Sequence, residues 1–242
     1  MKKLFQKDWF GINFSEIGIE LSKKEIAGIE FYSSFYQAFF KKFKNYDELP
    51  EEWRSLKDEI VNHLNGQLNL GDRILSIGCG TGYIESQLKN KNNQIEIVGI
   101  EPGKDLLKWC NNDISILEGL FPDALLNIYS AGDFDFVFAS SIDYVFDDQS
   151  YAEFLKSVFD FGISEFLLTE IFVPEEGLIA FLKANIKLFL ETVGIRYEEQ
   201  SMQFWGYLRT IDEHIVFLRN AGFSNFDTGK YNHGAYYIMA KV

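Results

Sequence analysis

The chain's residue pattern predicts an α/β fold: a mostly parallel seven-stranded sheet, an antiparallel hairpin at its C-terminal end, and a helical cap in front. Three observations carry this expectation. Short apolar runs alternate with helix-like segments from Asp72 onward, which is the pattern of a parallel sheet covered on both faces. The last two apolar runs are separated only by "GKYNHG", which is hairpin spacing. Before Asp72, residues 22–44 and 47–64 instead follow a helical pattern.

In chain order, the segment 22–44 has Phe31, Phe35, Phe39 and Phe43 four apart, the apolar stripe of an amphipathic helix. Ser22 is its expected N-cap, with Glu25 completing a capping box. A second helix is expected over 47–64, with Pro50 in its first turn. "RILSIG" is then a strand, followed by glycines and a helix to about Leu88. Strands 95–101, 114–117, 134–140 and 165–171 follow, with helices expected over 104–110 and 150–159. "TIDEHIVFLRNAGF" reads as a helix stopped by Gly222, ahead of strands 223–228 and 235–242. Residues 172–206 exceed what the alternation requires and include an expected helix over 175–191. The expected organisation is therefore a cap at 1–66, a sheet domain at 67–242, and a lid segment inserted at 172–206.

Composition narrows the function. A length of 242 residues suits one large domain or one domain with an added cap, and 47% hydrophobic with 24% charged residues is ordinary for a globular protein. The net charge is −13, with +1 in the first 50 residues and −14 in the rest, and no basic stripe stands out. That argues against a nucleic-acid partner, because phosphate binding needs clustered Lys and Arg. A small molecule or a protein is the expected partner. No apolar run is long enough to cross a bilayer, and Gln6, Lys7 and Asp8 break any signal-peptide core, so a cytoplasmic location is expected. Cys79 and Cys110 are the only cysteines, too few and too placed for a disulfide framework or a cysteine metal site.

The stretch "ILSIGCGTGYIE" sets Gly78, Gly80 and Gly82 directly after a strand and before a helix. Glycine is costly in regular structure, so three together imply a close backbone approach by a ligand. The dinucleotide fingerprint G-x-G-x-x-G fails because Tyr83 stands at its third glycine, and no Gly-Lys-Ser/Thr makes a P-loop.

These residues resemble the first motif of the class I S-adenosylmethionine-dependent methyltransferases, whose fold is Rossmann-like. Glu101 ends the second strand as that family's acidic residue does, and "FDFVFASS" is similar to its fourth-strand motif. The resemblance covers roughly 71–242. It implies S-adenosylmethionine as cofactor, with Ser76, Gly78, Gly80, Gly82, Tyr83, Glu101, Pro102 and Ser140 around it and Glu118 and Gly119 at the adenine. Glu101 can accept both ribose hydroxyls, a bidentate use of a carboxylate. Many family members carry an acid where this chain has Ser76; that acid helps hold the cofactor's amino group, so the compensating charge must come from elsewhere.

The donor is already reactive, so the remaining chemistry is positioning the acceptor and removing its proton. Asp143, just after the fourth strand, is one candidate base, with a helix-capping role as its alternative; His214 and His233 are two more. None has a partner at metal-ligand spacing, so no metal is expected. Tyr144, Trp205, Tyr207 and Arg209, with Tyr32 and Tyr36 beside the Phe stripe, suit a flat or anionic small acceptor. Oxygen is the first expected acceptor atom and nitrogen the second. A non-catalytic binding module on the same fold remains open, and a nicotinamide enzyme is disfavoured by Tyr83. The oligomeric state is not legible.

Overall fold

The computed structural model describes residues 2–174 and 202–242. Two helices in the N-terminal part, α1 (Ile29–Lys42) and α2 (Glu51–Gln67), precede β4 (Arg73–Ile77), after three short strands, β1 (Lys2–Gln6), β2 (Asp8–Trp9) and β3 (Ile12–Asn13). There follow α3 (Tyr83–Lys91), β5 (Glu96–Glu101), β6 (Ser115–Glu118), β7 (Phe136–Ser140), α4 (Asp148–Asp160) and β8 (Glu165–Ile171). The described chain ends with β9 (Gln203–Leu208), α5 (Ile211–Ala221), β10 (Asn225–Lys230) and β11 (Tyr236–Lys241).

The central sheet has seven strands in the order β10-β11-β8-β7-β4-β5-β6. β4 to β8 run parallel, whereas β11 is antiparallel to both β8 and β10, as expected from the sequence. Strand alternation sends Ile74, Ile97, Phe136, Phe138 and Leu167 to one face, against Leu56, Ile60, Leu64, Ile84 and Leu88 of α2 and α3. Leu75, Val98, Val137, Phe166 and Leu168 face the other way, onto Tyr151, Leu155, Val158 and Leu218 of α4 and α5. β4, β5, β7 and β8 are buried on both faces, so they read as continuous apolar runs.

A third apolar cluster forms the cap. Phe31, Phe35, Phe39 and Phe43 are all buried, with Phe14, Trp205 and Tyr83 among their neighbours. The Phe stripe is therefore packing.

The helix expected over 22–44 begins only at Ile29, because the preceding chain bonds to β9. Phe204 N donates to Ser22 O at 2.8 Å, and Ala27 N donates to Phe204 O at 3.1 Å. Ser22 Oγ does accept from Glu25 N, but in a turn ahead of the helix. The cap is also not purely helical, since β1 pairs with β9 from Lys2↔Leu208 to Gln6↔Gln203. The expected lid boundary at 206 therefore falls inside a strand. The expected helix over 104–110 is reduced to one 3-10 turn, Lys104–Leu107. The helix expected over 175–191 lies outside the described residues.

Candidate functional site

The chain runs β4, β5, β6 outward, then returns to place β7 on the other side of β4. That reversal opens a crevice beyond the carboxyl ends of β4 and β7, where open α/β sheets bind ligands.

On the β4 side is the glycine loop. Gly78, Gly80 and Gly82 have φ of +73°, +55° and +72°, the region that glycine enters without strain. Gly78 N and Cys79 N donate to Ile100 O at 2.9 and 3.1 Å, which ties the loop to β5. A Cβ on Gly78 would strike Ile142 and one on Gly82 would strike Cys110, whereas a Cβ on Gly80 would meet nothing within 4 Å. Gly80 is thus the glycine facing open space.

Glu101, 7% exposed, accepts from Gly80 N at 2.8 Å through Oε2 and from Gly103 N at 2.9 Å through Oε1. Burial pushes its pKa up, against the pull of those two N–H groups. Each oxygen keeps a further lone pair, so the carboxylate suits a vicinal diol. Glu118 is level with Glu101 in the β5–β6 register, and Gly119 N donates to Glu101 O at 3.3 Å. Pro102 is exposed beside them. The positions expected at the cofactor's ribose and adenine thus lie together at the carboxyl ends of β5 and β6. Glu101→Ala should weaken S-adenosylmethionine binding by about 1.5–3 kcal/mol, the range for hydrogen bonds to a charged group, measured by calorimetry.

The β7 side holds residues that sequence reasoning missed. Lys57 of α2 forms a buried ion pair with Glu170 of β8. Ser140 Oγ donates to Glu170 Oε2 at 2.8 Å, and Lys57 Nζ donates to Ser140 Oγ at 3.3 Å. The lysine also lies 5.3 Å from the Trp53 ring centroid. Glu170 has φ +58° and the neighbouring Ser141 has φ +56°, both rare for residues with a Cβ. Between Leu168 and Ile171, β8 carries an extra residue relative to Tyr236–Ile238, a bulge of the kind that re-aims a side chain. The available signal was charge at core positions: Lys57 shares the buried face of α2 with Leu56, Ile60 and Leu64, and Glu170 interrupts an apolar strand.

Helix α1 roofs the crevice. Tyr32 Oη lies 3.4 Å from Tyr144 Oη, on the β7 side. Tyr36 stacks near Tyr32 at 6.4 Å, and Glu101 adds to the burial that raises its pKa, so it reaches toward the β5 side. Burial pushes the Tyr32 phenol up to about 12.

Other expected site residues lie elsewhere. The Tyr83 side chain points into the cap, donating to Asp58 Oδ1 at 2.8 Å and packing on Trp53 and Tyr46. Trp205 is stacked between Phe14 and Tyr144, at 5.1 and 6.0 Å, so both its faces are covered. Tyr207 is half-buried against Phe204. Arg209 is fully buried: its guanidinium donates to Asp143 O, Phe146 O and Asp148 Oδ1, bracing the turn after β7. A flat or anionic acceptor finds neither a free indole face nor an open guanidinium here. Exposed His233 sits in the β10–β11 turn, 3.4 Å from Glu59 of α2.

His214 and Asp143 are both buried, with Nε2 3.6 Å from Oδ2, and Tyr151 Oη is 2.7 Å from His214 Nδ1. Burial lowers the His214 pKa to about 3 and raises that of Asp143 to about 7. Both side chains are shut away from solvent, with the imidazole held by Tyr151. Between pH 4 and 6.5 the unfolded chain holds one proton on the imidazole, and the folded pair holds one on the carboxyl. These contributions to pH-dependent stability cancel. Asp143→Asn removes the cancellation: His214 alone then favours folding as pH rises through that window. Stability relative to wild type should climb by about 1.4 kcal/mol per pH unit, read from denaturant melts at several pH values.

The methyltransferase domain family model matches residues 45–225, three quarters of the chain. The chain belongs to this family, the class I S-adenosylmethionine-dependent methyltransferases. Among solved structures, the apo methyltransferase SibL superposes with a TM-score of 0.57 at 11% identity, covering 88% of this chain and 58% of its own. Human N-acetylserotonin methyltransferase, in complex with S-adenosylmethionine, gives 0.54 at 14% identity, covering 85% and 58%. Magnesium protoporphyrin IX methyltransferase from Synechocystis PCC 6803, with bound S-adenosylhomocysteine, gives 0.59 at 13%, covering 87% and 95%. The chain thus spans about 58% of the length of the first two, and at these identities the likeness is one of fold. No curated protein matches the chain.

Proposed function

We propose that this chain methylates a small-molecule acceptor at oxygen, using S-adenosylmethionine. One observation carries the reading. The crevice at the strand-order reversal has the glycine loop and Glu101 on one wall, the Lys57–Ser140–Glu170 cluster on the other, and α1 as its roof. Bound S-adenosylmethionine supplies a methyl group on a sulfonium, ready for in-line attack.

The chain's own residues then have three tasks. Glu101 and the loop hold the ribose. Glu170 takes the acceptor's hydroxyl proton, while Lys57 and Ser140 hold its carboxylate in place. The tyrosines of α1 exclude water and limit the acceptor to a small compound. A hydroxyl acceptor is the reading this role of Glu170 supports, because a hydroxyl must lose its proton on methylation. Both cysteines are free thiols, in keeping with a reducing compartment such as the cytoplasm.

The test has two stages. Calorimetry with S-adenosylmethionine measures cofactor binding; incubation with labelled cofactor and a pool of small metabolites, read by mass spectrometry, seeks products heavier by one methylene. Binding without any methylated product would leave a binding module, and absence of binding would sink the reading.

A further inference from the structure

Ser76, next to last in β4, is 1% exposed, and its Oγ donates to Glu85 Oε1 at 2.5 Å. Glu85 lies in the first turn of α3, directly after the glycine loop, and is itself 1% exposed. Its other oxygen, Oε2, is shielded from water and accepts no hydrogen bond among the described residues. An acid in such a place opposes stability, because a carboxylate oxygen withdrawn from water without a donor forfeits its hydration. Burial accordingly raises its pKa, and the charge of Glu101 pushes the same way.

The nearby cation does not resolve this. Lys57 acts on Glu85 through space, but its ammonium is bonded to Glu170 and Ser140. Two carboxylates, Glu85 and Glu101, therefore flank one glycine loop, and the local lysine charge is already matched by a third. What is missing is a cation carrying N–H donors.

We propose that the Ser76–Glu85 pair receives the α-ammonium of the cofactor's methionine end, the carboxylate coming from helix α3 because β4 offers only a serine hydroxyl at that level. This rests on the cofactor reading above. Glu101 marks the ribose end of the loop, and Glu85 marks the amino-acid end. The helix acid and the strand serine together put a charge into the space that a strand acid would otherwise fill. Since Oε2 is shut off from water here, the pair engages as the cofactor seats against the loop.

The test compares two probes by calorimetry: S-adenosylhomocysteine, and 5′-methylthioadenosine, which keeps the purine, ribose and sulfur but lacks the amino-acid end. Glu85→Gln keeps the side chain's shape and an oxygen for the Ser76 hydroxyl. It should weaken S-adenosylhomocysteine by about 10–100-fold and leave 5′-methylthioadenosine within about twofold, as loss of a charged hydrogen bond predicts. A second variant, Ser76→Asp with Glu85→Ala, returns the charge to the strand and should recover S-adenosylhomocysteine binding. A folded Glu85→Gln protein that binds S-adenosylhomocysteine as wild type does, or that loses both probes equally, would overturn the assignment. So would a folded double variant that stays as weak as Glu85→Gln. Wild-type protein that binds neither probe would instead overturn the cofactor reading itself.

Discussion

Glu170→Gln is expected to slow methyl transfer by about 10²–10⁴-fold, the usual span for removing a general base, while S-adenosylmethionine affinity stays within about twofold. The expectation follows from where the residue is held. A β-bulge turns its side chain toward Ser140, at φ +58° for a residue that carries a Cβ. Strain of about 1–3 kcal/mol persists only where the surroundings enforce it, and here they enforce a carboxylate held against Ser140 and Lys57. The variant also leaves Lys57 buried without its counter-charge, which is destabilising. Pairing Glu170→Gln with Lys57→Met separates the two effects: stability should recover and turnover should not. If the single variant keeps normal turnover across pH 6–9, the ion pair only holds α2 to the sheet.

The second large effect is expected at Gly80. Gly80→Val should reduce cofactor affinity by at least about 100-fold, because the new side chain occupies the space where the ligand must lie against the backbone. The fold should survive, since a Cβ at Gly80 meets no protein atom within 4 Å. Some loss in melting temperature is expected from holding valine at φ +55°. Gly78 and Gly82 provide the contrast, as side chains there would collide with Ile142 and Cys110 and damage the loop itself. Normal S-adenosylmethionine binding by Gly80→Val would mean that the loop is only a turn between β4 and α3.

Much of the site's cofactor side was legible in consecutive residues. The glycine spacing, the acid closing β5 and the hairpin after Gly222 are local patterns, and the structure keeps all of them. The acceptor side was not legible. Trp205, Tyr207 and Arg209 looked like a binding surface because aromatic and cationic residues cluster in "QFWGYLRT". Their strand instead pairs with β1 at the far end of the chain, which buries Trp205 between two rings and commits Arg209 to carbonyls. His214 was a candidate because a histidine can take a proton near neutral pH, yet its place on the helix puts the ring against Tyr151.

The amino-acid sequence by itself determined the sheet, its parallel strands, its antiparallel end and the glycine loop. Each of these rests on backbone preferences and hydrophobic periods that a few neighbouring residues express. Only the tertiary structure decided the charged partners. Lys57 meets Glu170 across 113 positions, and Glu85 reaches Ser76 from another element. Those meetings depend on helix rotation and one extra residue in β8, which no local period records, and on burial, which turns an ordinary surface charge into a group that needs a partner.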